Sequence, residues 1–360
     1  MGLEFFEDFL GQGQVVLANL IEKEVGSIIG ILVNVIAVIM NFIYNLISTL
    51  TEKHALGIAI ILMTLVIRLV MLPQGISQQK SSIKMRKVQP EIDKIKKKYG
   101  NSKDPEIQRK INMETQAVYQ KHKINLFAGC LPLLITLPIF YALIDLMRRL
   151  YVYVDKIRDL YTQIGETILR IPGIAEVNSV LWNIAVPMVP SNYSRIVYTN
   201  KAEDLVWFID KFTPENWTTI RELVSVDPAV ARGLEELLVQ RDNVQHFLGL
   251  NLVNTAGLGW PGIIIPILSA GTSFLLSFLS SKVMQNPSQE QAGKMNQRIM
   301  MIVMPAMMFF FTISVSGGVG VYWIASNVIA VVQQIALAKI YLNRGQDNNG
   351  DINGKAKEIV

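Results

Sequence analysis

The stretch 57–73, GIAIILMTLVIRLVMLP, is an apolar run of helix length that carries a single arginine, Arg68. At 1.5 Å per residue, a helix from Ala55 to Leu72 reaches most of the way across a hydrocarbon core of about 30 Å, so the run reads as a membrane-spanning helix that holds a guanidinium. That group stays protonated at any physiological pH. An arginine at the centre of a span costs roughly 2.5–3.5 kcal/mol on insertion scales, so the chain must supply water, partners or a route to the surface. Two arrangements meet the demand. Either Arg68 snorkels to the interface about four residues away at Leu72, or it occupies a hydrated site inside the membrane. Thr64 lies one turn back on the same helical face.

The rest of the chain fits a membrane setting. Of 360 residues, 51% are hydrophobic and only 18% charged, which fits a multi-span membrane protein better than a soluble domain. The one cysteine, Cys130, rules out a disulfide within this chain and any thiolate metal cluster, and in its apolar surroundings it reads as a small buried hydrophobe. No cofactor or metal is called for.

The formal charge of +5 conceals a sharp partition along the sequence. Residues 1–25 are acidic. Residues 26–53 are apolar, but Asn34, Asn41 and Asn45 recur at i, i+7 and i+11, so this segment either spans or lies in the interface with its amide stripe toward water. After the first span, 54–73, comes 74–125 with 13 Lys/Arg against five Asp/Glu. Val88, Ile92, Ile95 and Tyr99 make one helical stripe that stops at Gly100. Asp104 as N-cap, Pro105 at N1 and the Ile107, Ile111 and Val118 stripe make a second helix, and together they form a charged helical hairpin. The second span, 126–149, contains Pro132 and Pro138 and ends at Asp145, Arg148 and Arg149. A long insertion, 150–258, is net acidic, with helix starts at Thr213-Pro214-Glu215 and Asp227-Pro228; 171–206 resists assignment. Three further spans, 259–279, 299–315 and 318–338, enclose a polar loop, 280–298. The tail, 339–360, is polar and glycine-containing and is expected to lack order.

The hairpin, short loop and tail together hold 20 basic and 9 acidic residues, against 13 and 20 on the other side. The positive-inside rule then puts the hairpin and C-terminus in the cytosol, and the N-terminus and insertion outside. That requires an odd number of spans, so 26–53 is expected at the interface. The fold class is an all-α polytopic membrane protein: a five-span core with a cytosolic hairpin, an N-terminal interfacial helix and a large, mostly helical extracytoplasmic insertion.

Polar residues within the spans narrow the function. Trp323, Asn327 and Gln334 share one face of the last span, with Tyr322, Ser326 and Gln333 on the neighbouring stripe, and the third span offers Ser269, Thr272, Ser273 and Ser277. Hydroxyls and amides of this kind also serve as interhelical glue, at about 0.6–2 kcal/mol per bond. A permanent cation needs more. Asp145 sits at the opposite end of its span, which leaves a water-filled cavity open to the cytosol as the cheapest solution for Arg68. An intramembrane protease is excluded, since His54, His122 and His246 all lie outside the spans and no HExxH or aspartate pair is present. A small-solute transporter would reuse the proline-broken helix, and a membrane-embedded assembly chaperone without insertase activity is the nearest rival.

The segments LMTLVIRLVMLP, KMRKVQPEIDKIKKKYG, GCLPLLITLPIFYAL, IIIPILSAGTSFLLS and MPAMMFFFTISVSGGVGVYWIASNVIAVVQQ, in this order, resemble the YidC family of membrane protein insertases and its mitochondrial and chloroplast relatives. The likeness covers about 26–150 and 247–338. It implies a hydrophilic groove open to cytosol and lipid, in which nascent membrane proteins are received and released into the bilayer without nucleotide hydrolysis, with some assistance to folding. Arg68 and Thr64 match the groove arginine and the threonine before it. Tyr322 and Trp323 match the aromatic pair that meets substrate helices, and Thr136, Phe140, Asn327 and Gln334 complete the groove set. Lys84, Arg86, Lys87, Lys96, Lys97 and Lys98 of the hairpin would recruit the translating ribosome. The implied partners are nascent membrane proteins, the ribosome, the Sec translocon, the signal-recognition-particle receptor and the bilayer, with no sequence-specific nucleic acid. The implied location is the bacterial plasma membrane. Thr136 departs from a common glutamine, Asn125-Leu126 from a frequent Asn-Pro, and the long insertion has no counterpart in the usual family pattern.

Overall fold

Apolar runs bounded by proline and carboxylate caps divide this chain into helices. The computed structural model describes residues 28–100, 104–122, 124, 131–174, 179–185, 202–284 and 291–357, and nearly all of them are helical. The chain separates into two compact units, one of 1–60 with 141–254 and one of 61–140 with 255–360.

The first unit contains α1 (Ile28–Leu50), the opening turns of α2 (Ala55–Val70), the end of α5 (Leu131–Arg148), then α6 (Leu150–Tyr153), α7 (Asp155–Leu169), α8 (Val180–Ala185), α9 (Ala202–Lys211), α10 (Pro214–Val224), α11 (Pro228–Gln245) and a hairpin of β1 (His246–Phe247) and β2 (Leu250–Asn251). Its core is the α7 stripe Ile157, Leu160, Ile164 and Ile168, with Leu205, Phe208 and Ile209 of α9 and Leu234 and Leu238 of α11, all buried. Gly165 permits the close approach of α9, because a side chain there would meet the Ala202 carbonyl oxygen at 3.0 Å. Both expected caps form. Thr213 makes a capping box with Asn216, and Asp227 accepts from the backbone of Ala229 and Val230.

The amide stripe of α1 is not left to water. Val154, the N-cap of α7, has no side chain that can cap, and Asn41 supplies the acceptor from α1. Its Oδ1 accepts from the Asp155 backbone N–H at 3.1 Å while its Nδ2 donates to Asp155 Oδ2 at 2.8 Å. Lys156 adds a bond to Ser48 at 2.8 Å. Further on, the Phe247 ring lies directly over Gly57, where a Cβ would fall 2.2 Å from it, and Leu248 donates its N–H to His54 Nδ1 at 3.3 Å. By length and apolarity α1 is able to cross a membrane, as is the Gly317–Leu337 part of the last helix.

The second unit holds the rest of α2, α3 (Leu72–Tyr99), α4 (Pro105–Lys121), α5 as far as Phe140, α12 (Ile264–Met284), α13 (Gln291–Ile313) and α14 (Gly317–Lys357). Here the run 57–73 proves not to be one straight helix. It bends by 56° between α2 and the first turns of α3. The cause is Pro73, which has no N–H for the Leu69 carbonyl and whose ring crowds that oxygen, although Met71 still donates to Ile67 at 3.0 Å and Gly75 to Met71 at 3.1 Å. Arg68 therefore lies in the last turn of α2. The carbonyl end of a helix favours a cation there.

α3 and α4 form the expected hairpin. Val88, Ile92 and Ile124 are its buried core, with Met85, Val118 and Tyr119 against them, and Asp104 caps α4 through the Glu106 N–H. Lys98 and Tyr99 bond Glu114 at 2.8 and 2.6 Å, and together they hold its carboxyl below the ordinary range. Lys121 and His122 pair with Glu91 at 3.4 and 3.1 Å.

α12 packs on α13 and α14, and Gly320 allows this, since a Cβ there would meet Ile265 at 2.2 Å. Ala256 and Gly257 donate to the Val315 and Ile313 carbonyls at 3.1 and 3.2 Å. With that segment tied to the α13–α14 turn, α12 starts at Ile264 rather than 259. α13 starts at Gln291, inside the expected loop, and α14 continues helically to Lys357 through the tail that composition left without order. Cys130, with residues 126–129 of the expected second span, lies outside the described residues.

Candidate functional site

Arg68 is half-buried, and its polar contact is a hydroxyl. Nε donates to Ser326 Oγ at 2.9 Å, and Nη2 donates to the same oxygen. Ser326 is itself buried, as is Tyr322 one turn earlier on α14, whose hydroxyl lies within electrostatic reach of Arg68. Arg68 meets no carboxylate among the described residues. Asp145, the acid closest to a span in the sequence, is held by Arg149 and by the Tyr153 hydroxyl at 2.6 Å. Thr64, one turn back on α2, is fully buried.

Tyr322 and Trp323 are consecutive, so their side chains leave α14 about 100° apart. Tyr322 faces the arginine. Trp323 turns instead to Phe140 of α5 and Phe311 of α13, with ring centroids 5.2 and 6.5 Å away, and Phe140 and Phe311 are 5.3 Å apart. The three rings are only half-buried. Edge-to-face contacts of this kind add about 0.5–1.5 kcal/mol beyond area burial.

The remaining candidates form a polar seam along α12. Asn327 is buried and donates to Ser273 at 2.8 Å and Thr272 at 3.2 Å, Gln334 accepts from Ser280 at 3.2 Å, and Thr312 of α13 donates to Ser269 at 3.1 Å. The sequence put Asn327 and Gln334 on one face with Trp323, and the structure gives that pair to helix pairing. Thr136 is half-buried on α5. On the hairpin, Lys84, Lys87, Lys96, Lys97 and Lys98 are all exposed, and Lys98 also pairs with Glu114; the Arg86 side chain lies outside the described residues.

Ser326 stands on the Tyr322 stripe, but no local pattern pairs it with Arg68, and nothing in the run of three phenylalanines distinguishes Phe311. Among the described residues no cluster of three His, Cys, Asp or Glu side chains could hold a metal ion.

A cation bonded to one hydroxyl on a neighbouring apolar helix, beside a half-exposed aromatic triad, is equipped to meet an anionic group and an apolar segment together. The family model described as 60Kd inner membrane protein matches residues 46–344, across both units. The chain belongs to the YidC family. Three relatives illustrate the range of similarity. The membrane protein insertase YidC 1 of Bacillus cereus is 28% identical over 302 residues, 84% of this chain and 79% of the relative. The membrane protein insertase YidC of Clostridium perfringens is 27% identical over 311 residues, 85% and 90% of the two chains. In the YidC of Fusobacterium nucleatum 40% identity extends over 118 residues, which is 30% of this chain and 55% of that protein. The YidC relatives are named membrane protein insertases, and the apolar helices fit a protein of the bacterial membrane.

Proposed function

We propose that the chain is a membrane protein insertase whose working site is the Arg68, Tyr322, Trp323 and Phe140 constellation. The observation that carries this reading is a permanently charged side chain that, among the described residues, bonds only to a serine hydroxyl. A guanidinium left without a carboxylate keeps an unspent electrostatic demand, and an acidic residue in an arriving polypeptide meets it. Hydration around Arg68 shortens the apolar distance that a client's polar segment must cross. The client's apolar helix then passes the Trp323, Phe140 and Phe311 rings into lipid, and its burial drives the step at about 25 cal/mol per Å². No nucleotide is consumed. Thr136 lines the same groove, with Thr64 buried one turn behind Arg68, and Asn327 and Gln334 hold α12 to α14 at its wall.

In this reading the core has five spans, with α1 at the outer interface and the hairpin in the cytosol. There Lys84, Lys87, Lys96 and Lys97 face the translating ribosome, and beside it the signal-recognition-particle receptor or the Sec translocon. The charge partition supports that orientation. The same groove assists the folding of inserted helices.

Reconstituted vesicles and two clients, one with an acidic translocated tail and one with a neutral tail, provide the test. Arg68→Ala is expected to lower insertion of the acidic client about tenfold and Arg68→Lys less, with the neutral client little changed, since one charge contact removed from a low-dielectric site is worth about 1.4 kcal/mol or more. Equal insertion by all three proteins would reject the role. An assembly chaperone without insertase activity would support client folding but fail to insert with the purified chain alone.

A further inference from the structure

An arginine in the last turn of a helix that then bends has an easy way out of the membrane. Its stem is long enough to carry the charge toward the α2–α3 bend, only three residues away at Met71, and so to the nearer interface. The side chain does not take that path. Its Nε and Nη2 edge is bonded to Ser326 Oγ, and Ser326 lies near the middle of the apolar stretch Gly317–Leu337 of α14. At 1.5 Å per residue it is about 14 Å from one end of that stretch and about 16 Å from the other.

Ser326 suits the task chemically. Its oxygen accepts N–H groups from both Nε and Nη2, one edge of the guanidinium. The hydroxyl is buried, so water competes little for it. It is also neutral, so it does not cancel the charge as a carboxylate would. The other edge of the guanidinium fork, with its Nη1 donors, stays outside this contact, and it is the edge on which a client carboxylate would dock bidentately.

We infer that Ser326 is a positioning residue that tethers the Arg68 guanidinium at mid-depth against its tendency to snorkel, and so sets how deep an acidic client residue is received. The client part rests on the insertase reading above; the tether itself does not.

The experiment compares wild type, Ser326→Ala, Ser326→Thr and Ser326→Cys, full-length in vesicles. The first readout is the rate at which a water-soluble glyoxal reagent modifies Arg68, followed by peptide mass spectrometry. The second is insertion of the acidic-tailed and neutral-tailed clients. Losing a hydrogen bond to a charged group is expected to speed Arg68 modification roughly tenfold in Ser326→Ala. Insertion of the acidic client should fall toward the Arg68→Ala level, the neutral client should hold, and Ser326→Thr should restore both readouts. Ser326→Cys, nearly isosteric and a poor acceptor, should behave like Ser326→Ala, and it replaces that variant if the alanine protein folds poorly. Wild-type modification rates in both Ser326→Ala and Ser326→Cys would overturn the tether. Faster modification with insertion unaltered in both Ser326→Ala and Arg68→Ala would leave the tether standing and reject the insertase role of the cation.

Discussion

At Asp210, near the end of α9, two forces oppose each other. Burial pushes its carboxyl up to about 6 from an ordinary value near 3.8, against the pull of Lys211 and Arg241. A carboxyl whose folded value lies above its unfolded one binds more protons when folded, so the contribution of Asp210 to stability is fully present below about pH 4 and is lost as pH rises through about 6. Asp210→Asn is therefore expected to strengthen the packing of α9 at pH 7.5 by about 1–3 kcal/mol and to do nothing near pH 4. Hydrogen exchange of α9 amides in the full chain reads this, and a gain independent of pH would contradict it. Nothing in the sequence marked Asp210, because its burial comes from helices distant along the chain. The same separation hid the Arg68 partner: the serine and the arginine are 258 residues apart, and no local pattern links them. The arginine itself was plain, since an unavoidable charge in an apolar run stands out without any tertiary knowledge.

At the level of elements, helix starts were the most legible feature. Asp104, Thr213 and Asp227 each precede a proline, and each caps the helix that follows, because a cap and its N–H partner are two or three residues apart. Helix ends and bends were harder to read. Pro73 was visible only as the end of a run, whereas it acts as a hinge inside a path that continues from α2 into the hairpin. Pro73→Ala returns an N–H to the Leu69 carbonyl and should straighten that path. Removing the 56° bend would lengthen the separation of spin labels at Leu62 and Lys84 by about 3–4 Å at 1.5 Å rise per residue. An unchanged dipolar distance would mean that packing by α12 and α14, and not the proline, imposes the angle. The tail shows the opposite failure, because α14 runs on through glycines and asparagines that disfavour a helix.

For the whole molecule, the charge partition is the strongest statement that the sequence makes, and it yields a topology that can be tested directly. In a Cys130→Ser background, single cysteines at Val226, exposed in the α10–α11 turn, and at Lys87 on the hairpin should label from opposite sides. An impermeant maleimide is expected to reach 226 in intact cells and 87 only in inverted vesicles; the reverse pattern would overturn the orientation. A third position, Glu24, decides α1: labelling from outside puts the helix at the interface, and labelling only after inversion makes it a further span. The fold of the insertion was only half legible, since its capped helices declared themselves while 171–206 offered no periodicity, and of that stretch 175–178 and 186–201 remain outside the described residues.

The amide of Asn41 reaches across 114 residues of sequence to close the first turn of α7. Anyone who wishes to trim the insertion, or to graft it onto a shorter relative, inherits that dependence. Excised alone, α7 would begin with bare amide hydrogens and α1 would present an orphaned amide, so the donor fragment must travel as a pair of separate pieces, 28–60 together with 141–254.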